Sequence, residues 1–251
     1  MSEGRVDREA RAYDEGQVFA ESRKLQTRFR HVFFCPNSRW LTSYVAEVIA
    51  QKAPGGVVLD YGCFTGDLYP TLAPHKPARV VGIDISQAGI DQAKARFGDA
   101  VEYLKMDAHH TTFPDATFDL VVGTSILHHL DWEVAIREVS RILKPGGVAL
   151  FTEPLGGNPA AKLLRKLTPK ARTRDEKPLE RDQILFADRI IGAGRHRFGN
   201  LVSVPLAMTT SLFLESPDNV LLRAADPIDR LLAKTPLKYW MRQVVLSWVK
   251  I

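Results

Sequence analysis

The chain has 251 residues, a length that suits one α/β domain with an appended lid better than two full domains. Its 45% apolar and 25% charged residues are typical of a globular protein that buries a core. Its two cysteines, Cys35 and Cys63, cannot build a disulfide framework, which favours a reducing compartment. The charged first residues show no signal-peptide pattern and no run is long enough to span a membrane, so we expect a cytoplasmic protein.

The formal net charge of +5 raises the question of a nucleic-acid partner. The excess is local, because residues 160–174 contain six basic residues and no acidic one. A single patch of this kind is more often a solvated face than a binding surface, so we expect no nucleic-acid partner. The six residues are Lys162, Arg165, Lys166, Lys170, Arg172 and Arg174.

Residues 5–52 are predicted to form helices, because apolar pairs recur there at helical spacing. Ser38 is predicted to cap the last of these helices. Short apolar runs then alternate with helical stretches, a pattern typical of a parallel sheet covered on both faces. The predicted strands are 57–62, 78–86, 101–108, 118–125 and 147–154, and the helices between them include 86–97 and 131–143.

The pattern loosens after Pro154. A helix is predicted to begin at Asn158-Pro159, and a polar loop follows it to Pro178. The rest of the chain is predicted to complete the sheet. Its predicted elements are a helix at 180–191, strands at 198–206 and 242–250, and between those strands a helix capped at Ser216.

Acidic residues lie at the ends of the first three predicted strands: Asp60, Asp84 and Asp107. A glycine turn follows Asp60, and such a turn lets backbone N–H groups approach an anionic or polar ligand. An acid at the end of the second strand can accept both ribose hydroxyls of an adenosine, and one at the third can accept from the adenine amino group. Because the carboxyl ends of parallel strands meet at one crevice, these acids together predict a nucleoside site.

The run VLDYGCFTGDL … VVGIDIS … MDAHHTTFPDATFDLVVGTSILHHL … IREVSRILKPGGVALFTEP, within residues 56–155, resembles class I S-adenosylmethionine (SAM)-dependent methyltransferases that act on small molecules. The resemblance implies SAM as cofactor and S-adenosylhomocysteine as product. It implies a cofactor site made of Asp60, Gly62, Gly66 (methionine half), Asp84, Ile85 (ribose), Asp107, Ala108 (adenine) and Gly123 (methyl donor). The sequence departs from the family at Phe64, where a glycine is usual.

The predicted fold is therefore a Rossmann-like α/β fold. It has a seven-stranded, mostly parallel sheet with helices on both faces, an N-terminal helical lid and an insertion after the fifth strand. The predicted units are residues 1–52 (N-terminal helices and lid), 53–155 (SAM-binding core), 156–197 (substrate-side insertion) and 198–251 (two strands and a helix that complete the sheet).

Methyl transfer from a sulfonium is an in-line displacement, so the protein needs a general base only if the acceptor arrives protonated. His128, His129 and Glu153 are the candidate catalytic residues, because they follow the fourth and fifth strands. His109 and His110 are expected to be exposed loop residues, and no metal is expected. Tyr13 is a candidate lid residue whose ring would lie over the sulfonium.

We predict a SAM-dependent methyltransferase that acts on a small molecule, either apolar, prenylated or aromatic, with an anionic group. A methyltransferase of RNA or another macromolecule is one alternative, although the chain lacks the Asn/Asp-Pro-Pro-aromatic segment that grips a flipped base. A non-catalytic SAM-binding scaffold is a second alternative, suggested by Phe64. A nicotinamide dehydrogenase would need a different glycine spacing from Gly62-x-x-x-Gly66. The sequence leaves a homo-oligomer open.

Overall fold

Helices occupy the chain before the first strand in the computed structural model, which describes residues 4–167, 173 and 176–251. They are α1 (Arg5–Asp14), α2 (Gln17–Arg28), α3 (Arg30–Phe34) and α4 (Pro36–Lys52). The prediction that Ser38 caps the last helix was wrong, because Pro36 starts α4 one turn earlier with Cys35 as N-cap. The Ser38 hydroxyl instead donates to the Val32 carbonyl over 2.9 Å.

Strands and helices then alternate as predicted through the middle of the chain. Ser86 and Asp131 are helix N-caps, because their side-chain oxygens accept the backbone N–H groups of Gly89 and Val134. The elements are β1 (Val57–Tyr61), α5 (Tyr69–Leu72), β2 (Arg79–Asp84), α6 (Gln87–Phe97), β3 (Glu102–Lys105), β4 (Phe118–Thr124), α7 (Trp132–Ile142) and β5 (Leu143–Pro154).

The last part of the chain contains α8 (Pro159–Leu167), α9 (Arg181–Ile190), β6 (Arg197–Gly199), α10 (Ser203–Thr210), α11 (Val220–Leu232) and β7 (Gln243–Val249). The strand predicted at 198–206 was mostly wrong. The buried Asp229 carboxylate accepts the backbone N–H groups of Leu201, Val202 and Ser203, so these groups do not join a strand and the chain turns into α10. The cap of α11 is Asn219 rather than Ser216.

The seven strands form one sheet in the order β3-β2-β1-β4-β5-β7-β6. The first five pair in parallel, whereas β7 runs antiparallel to both β5 and β6. This arrangement confirms the mostly parallel sheet and its antiparallel closing strands. Because β1 lies between β2 and β4, the strand order reverses there, and a crevice opens at the carboxyl ends of these strands.

Helices cover both faces of the sheet, as predicted. On one face α4 and α6 pack Leu41, Ile49 and Ile90 into a buried cluster with strand residues. On the other face α7 and α9 contribute Val139 and Ile184 to a second cluster. The described part of the chain contains no helix with the length and apolar character needed to cross a bilayer.

Candidate functional site

A cavity of about 930 Å³ lies at the carboxyl edge of the sheet. This volume is in the upper part of the range for small-molecule sites. The ends of β1, β2 and β4 and the segment after β3 line its floor, and residues of α1, α2, α3, α8 and α10 also line it. The cavity is therefore large enough to place a cofactor beside an acceptor.

The glycine turn after β1 forms part of the floor, and its two glycines have positive φ angles of 82° for Gly62 and 76° for Gly66. A Cβ atom at Gly62 would lie 2.6 Å from Ile126 Cγ1, and one at Gly66 would overlap the Tyr103 hydroxyl. Side chains are thus excluded at both positions. Gly62 lines the cavity, whereas Gly66 packs against Tyr103 and shapes the turn from behind.

Phe64 also has a positive φ, 40°, which is uncommon for a residue with a side chain. Its backbone N–H donates to Asp84 Oδ2 over 2.9 Å. Its ring lines the cavity and lies against Gly89 in the first turn of α6, where a Cβ atom would come within 2.6 Å of the ring. The ring therefore fits because position 89 has no side chain.

The three predicted acids, Asp60, Asp84 and Asp107, all line the cavity, as do Ile85 and Ala108. Asp84 Oδ1 accepts the Ser86 backbone N–H over 2.8 Å, and burial raises the pKa of this carboxyl. Burial together with the nearby Asp84 and Asp67 carboxylates raises the pKa of Asp60 to about 8. Acids held in this way favour a cationic ligand, since a positive charge lowers the cost of ionising them.

His109 is buried, so the expectation of an exposed loop residue was wrong for it, whereas His110 is exposed as expected. The His109 ring bridges two elements: Nδ1 lies 2.7 Å from Asp107 Oδ1, and Nε2 accepts the Asp131 backbone N–H over 2.8 Å. His109 thereby fixes the Asp107 carboxylate against the start of α7. The Asp-x-His spacing in the sequence is the signal that could have revealed this link.

At the end of β4, Thr124 and Ser125 line the cavity. Gly123, the residue expected beside the methyl donor, lies behind them. A Cβ atom there would be 2.6 Å from the Phe151 ring and 2.8 Å from Ile126. Gly123 thus allows β4 and the following turn to pack closely, and the cavity wall itself begins one residue later.

The Asp60 carboxyl should couple SAM binding to pH. Its raised pKa means that it is largely protonated near pH 7 in the free protein, and a cationic ligand beside it would displace that proton. We therefore expect SAM binding to release a proton near pH 7 and the affinity to rise as pH increases from 6 toward 8. Calorimetry in two buffers of different ionisation enthalpy measures the proton. Asp60→Asn should abolish the release, and equal release by both proteins would contradict the assignment.

Glu153 and His128 form a buried pair between β5 and the turn after β4. Glu153 is fully buried, and its Oε1 accepts the backbone N–H groups of Ile126 (3.0 Å) and Leu127 (2.8 Å). Its Oε2 lies 2.6 Å from His128 Nδ1. The buried Glu153 carboxylate, which already accepts two backbone N–H groups, accepts a hydrogen bond from His128 Nδ1–H. His128 Nε2 is then left as a hydrogen-bond acceptor, on a side chain that lines the cavity.

His129, the second histidine, is engaged on both ring nitrogens. Nε2 lies 3.1 Å from the Tyr13 hydroxyl, and Nδ1 lies 3.1 Å from Glu9 Oε2 and 3.3 Å from Thr173 Oγ1. Glu9 and Tyr13 both belong to α1, so His129 holds that helix over the cavity. Of the two histidines, His128 is thus the one whose geometry suits a base.

Helix α1, which lines the cavity, also contacts the start of α6. Asp14 Oδ1 accepts from the Ser86 hydroxyl over 2.6 Å and from the Ala88 backbone N–H over 3.1 Å, at the start of α6. The Tyr13 ring lies edge-to-face with Phe64, with 5.6 Å between centroids. Tyr13 therefore lies between the glycine turn and His129, and burial raises the pKa of its hydroxyl, which stays protonated.

Among the described residues, His128, His129 and Glu176 bring ligand atoms within 4.8 Å of one another. Glu176 is a third potential metal ligand that the sequence did not suggest. His128 Nδ1 is held by Glu153, and His129 would have to give up a contact to Tyr13 or Glu9 to bind a cation. The absence of a metal from the reaction stays a prediction.

The region of the cavity beyond the histidines is apolar. Leu163 and Leu167 of α8 line it, as expected for the insertion, although both are also exposed to solvent, as are Lys162 and Lys166. Lys170, Arg172 and Arg174 lie outside the described residues, as does the Arg165 side chain. Arg242, which precedes β7, also lines this region and was not predicted as a site residue from the sequence. The signal in the sequence that could have indicated this residue is an arginine directly before the last strand.

Residues 59–151 match the family model described as a methyltransferase domain. The chain is 36% identical over 114 residues to the 27-O-demethylrifamycin SV methyltransferase of Amycolatopsis mediterranei (strain S699), covering 43% of this chain and 41% of that protein. It is 35% identical over 127 residues to a ubiquinone/menaquinone biosynthesis C-methyltransferase of Desulfotalea psychrophila, covering 49% of this chain and 51% of that protein. The chain thus spans about half or less of these relatives' length.

Among solved structures, phosphoethanolamine N-methyltransferase 2 of Haemonchus contortus superposes with a TM-score of 0.63 at 17% identity. The match covers 99% of this chain and 60% of that chain. At this identity the similarity shows the fold alone. The superposition covers nearly the whole chain, whereas the family model matches only residues 59–151.

Proposed function

Since the chain contains a class I SAM-dependent methyltransferase domain, we propose that it transfers the methyl group of SAM to a hydroxyl group of a small-molecule acceptor. The observation that carries this proposal is the Glu153–His128 pair, whose histidine lines the cavity, because a base is needed only for an acceptor that arrives protonated. A cytoplasmic location and the state of assembly stay predictions.

The residues around the floor fit SAM. The molecule carries two positive charges, and Asp60 and Asp84 supply carboxylates beside a turn in which Gly62 leaves room for a close approach. In this proposal Asp60 receives the methionine half, Asp84 with Ile85 the ribose, and Asp107 with Ala108 the adenine. Tyr13 would then cover the sulfonium, a contact worth roughly 0.5–2 kcal/mol.

The chain's own residues orient the acceptor and remove its proton. SAM, when bound, would supply a methyl group on a sulfonium sulfur, with the neutral thioether of S-adenosylhomocysteine as the leaving group. The acceptor oxygen forms the new C–O bond, and its hydroxyl proton passes to His128 Nε2. Glu153 then lies against an imidazolium, whose charge it stabilises. The apolar walls exclude water from the reacting atoms.

A methyltransferase of RNA is the alternative that the basic residues of 160–174 raise. Lys162 and Lys166 are exposed, while Leu163 and Leu167 of α8 line the cavity. This arrangement presents an apolar surface to the acceptor, which supports a small molecule rather than a phosphate backbone.

The proposed function is tested by direct binding and transfer. We expect SAM and S-adenosylhomocysteine to bind in calorimetry, and labelled methyl groups to pass from SAM to members of a panel of apolar hydroxyl compounds. The same transfer assay is run with transfer RNA and ribosomal RNA fragments, which test a macromolecular acceptor. SAM binding without transfer to any acceptor would favour a scaffold protein, and salt-sensitive RNA binding with methyl incorporation would overturn the small-molecule acceptor.

A further inference from the structure

We propose that Arg242 binds the anionic group of the acceptor, so that the substrate is an amphipathic organic anion, with a carboxylate or similar acid at Arg242 and its hydroxyl at His128. This inference rests on the proposed function, because it assigns the acceptor end of the same cavity. It names the substrate class and the residue that selects it.

The surroundings of Arg242 are the first argument. The guanidinium lies over the Phe33 ring, 4.5 Å from its centroid, and one nitrogen donates to Gln243 Oε1 over 3.0 Å. No described carboxylate lies within ion-pair distance of it, although a guanidinium offers five N–H donors. Burial lowers the pKa of Arg242 to about 10, yet the group remains charged near neutrality. A cation held in a cavity without a counter-ion favours an anionic ligand.

The place of Arg242 along the sheet is the second argument. Asp60 and Asp84 lie at the carboxyl ends of β1 and β2, and Asp107 lies just after β3, all on one side of the crevice. Arg242 precedes β7 on the other side of β4 and β5, and its carbonyl accepts the Leu155 backbone N–H just past the end of β5. The cavity is therefore negative where a cationic cofactor would lie and positive at the opposite end, with His128 between the two.

The wall next to Arg242 is the third argument. Phe29, Val32, Phe33, Val204 and Met208 come from α3, α10 and the residue between α2 and α3, and all line the cavity. They belong to one apolar cluster. Methionine and phenylalanine side chains suit an aliphatic or ring-bearing ligand body. An apolar wall and one unpaired guanidinium together fit an amphipathic anion.

Other cations of the chain are less suited to this role. Lys162 and Lys166 are exposed on α8. Arg5 also lines the cavity, but it lies on α1 and is already engaged within the protein. Arg242 is held in place by its ring contact with Phe33, which pre-organises the guanidinium for an acid.

The test uses binding rather than turnover. The protein is saturated with S-adenosylhomocysteine, and decanoate and its uncharged counterpart 1-decanol are titrated by calorimetry. We expect the native protein to prefer decanoate, and Arg242→Met to weaken decanoate binding by about 10- to 100-fold while decanol binding is unchanged. Arg242→Lys should keep part of the preference. Arg137→Met is the matched control, because Arg137 lies over the Phe186 ring on an exposed helix position.

Unchanged S-adenosylhomocysteine affinity shows that each variant is folded. Equal decanoate affinity in the native protein and Arg242→Met would overturn the proposal. So would a native protein that binds decanol as tightly as decanoate, a comparison that needs no variant. If hydroxyl acceptors are methylated but decanoate does not bind, the Arg242 site alone fails. If decanoate binds as expected but no methyl group is transferred, the proposed function alone fails.

Discussion

Replacing His128 by asparagine is expected to lower kcat by about 10²- to 10⁴-fold, the usual contribution of a positioned general base. The asparagine amide can still donate to Glu153 Oε2, as His128 Nδ1 does now over 2.6 Å, so the buried carboxylate keeps a partner. What the variant lacks is the Nε2 acceptor toward the cavity. The measurement is steady-state methyl transfer to an accepted hydroxyl compound, together with calorimetric SAM binding.

His129→Asn is the matched control, because the two ring nitrogens of His129 already contact the hydroxyl groups of Tyr13 and Thr173. We expect it to change ligand affinity through α1 more than it changes kcat. A His128→Asn protein that binds SAM normally and turns over at the native rate would remove the base from the mechanism and point to an acceptor that needs no deprotonation.

Asp84→Asn should weaken SAM binding by about 10- to 100-fold, because it removes the charge from hydrogen bonds to the ribose. The asparagine oxygen can still accept one of the two backbone N–H groups, from Phe64 or Ser86, that the carboxylate accepts now. Burial raises the pKa of Asp84, so removing the charge offsets part of the cost of the backbone N–H group that loses its acceptor, and the free protein should lose little stability. Calorimetry with SAM and thermal unfolding without it measure the two effects.

Asp91→Asn provides the comparison for Asp84. It removes a carboxylate from the exposed surface of α6, where Asp91 accepts a bond from Gln87. SAM affinity should be unchanged there. If both variants bind SAM as the native protein does, the ribose assignment is wrong, and the acid at the end of β2 serves only to shape the glycine turn.

The sheet could be predicted because its signals are local. Each parallel strand is a short apolar run with a turn at its end, so β1, β2 and β4 were found close to their observed bounds, whereas β5 begins at Leu143, before its predicted start at 147. The segment at 198–206 could not be predicted in this way. Its backbone donors are satisfied by Asp229, whose carboxylate comes from a helix more than twenty residues later, and no local pattern encodes that contact.

The same distinction applies to the site. The acids after three successive strands follow from chain order, because parallel strands bring their ends together. Glu153 and His128 were found as separate candidates, but their pairing depends on the exact packing of β5 beside the turn after β4. Arg242 was not predicted as a site residue, because its position in the cavity depends on its contact with the Phe33 ring, more than two hundred residues earlier in the chain.

The contact between Phe64 and Gly89 has an evolutionary consequence. The ring takes the space that a side chain at position 89 would need, so the two positions cannot vary independently. In relatives with glycine at the equivalent of position 64, the helix is free to carry alanine or a larger residue at the equivalent of 89. In those with an aromatic residue at the first position, we expect glycine at the second. The pair should thus appear in an alignment as a correlated substitution.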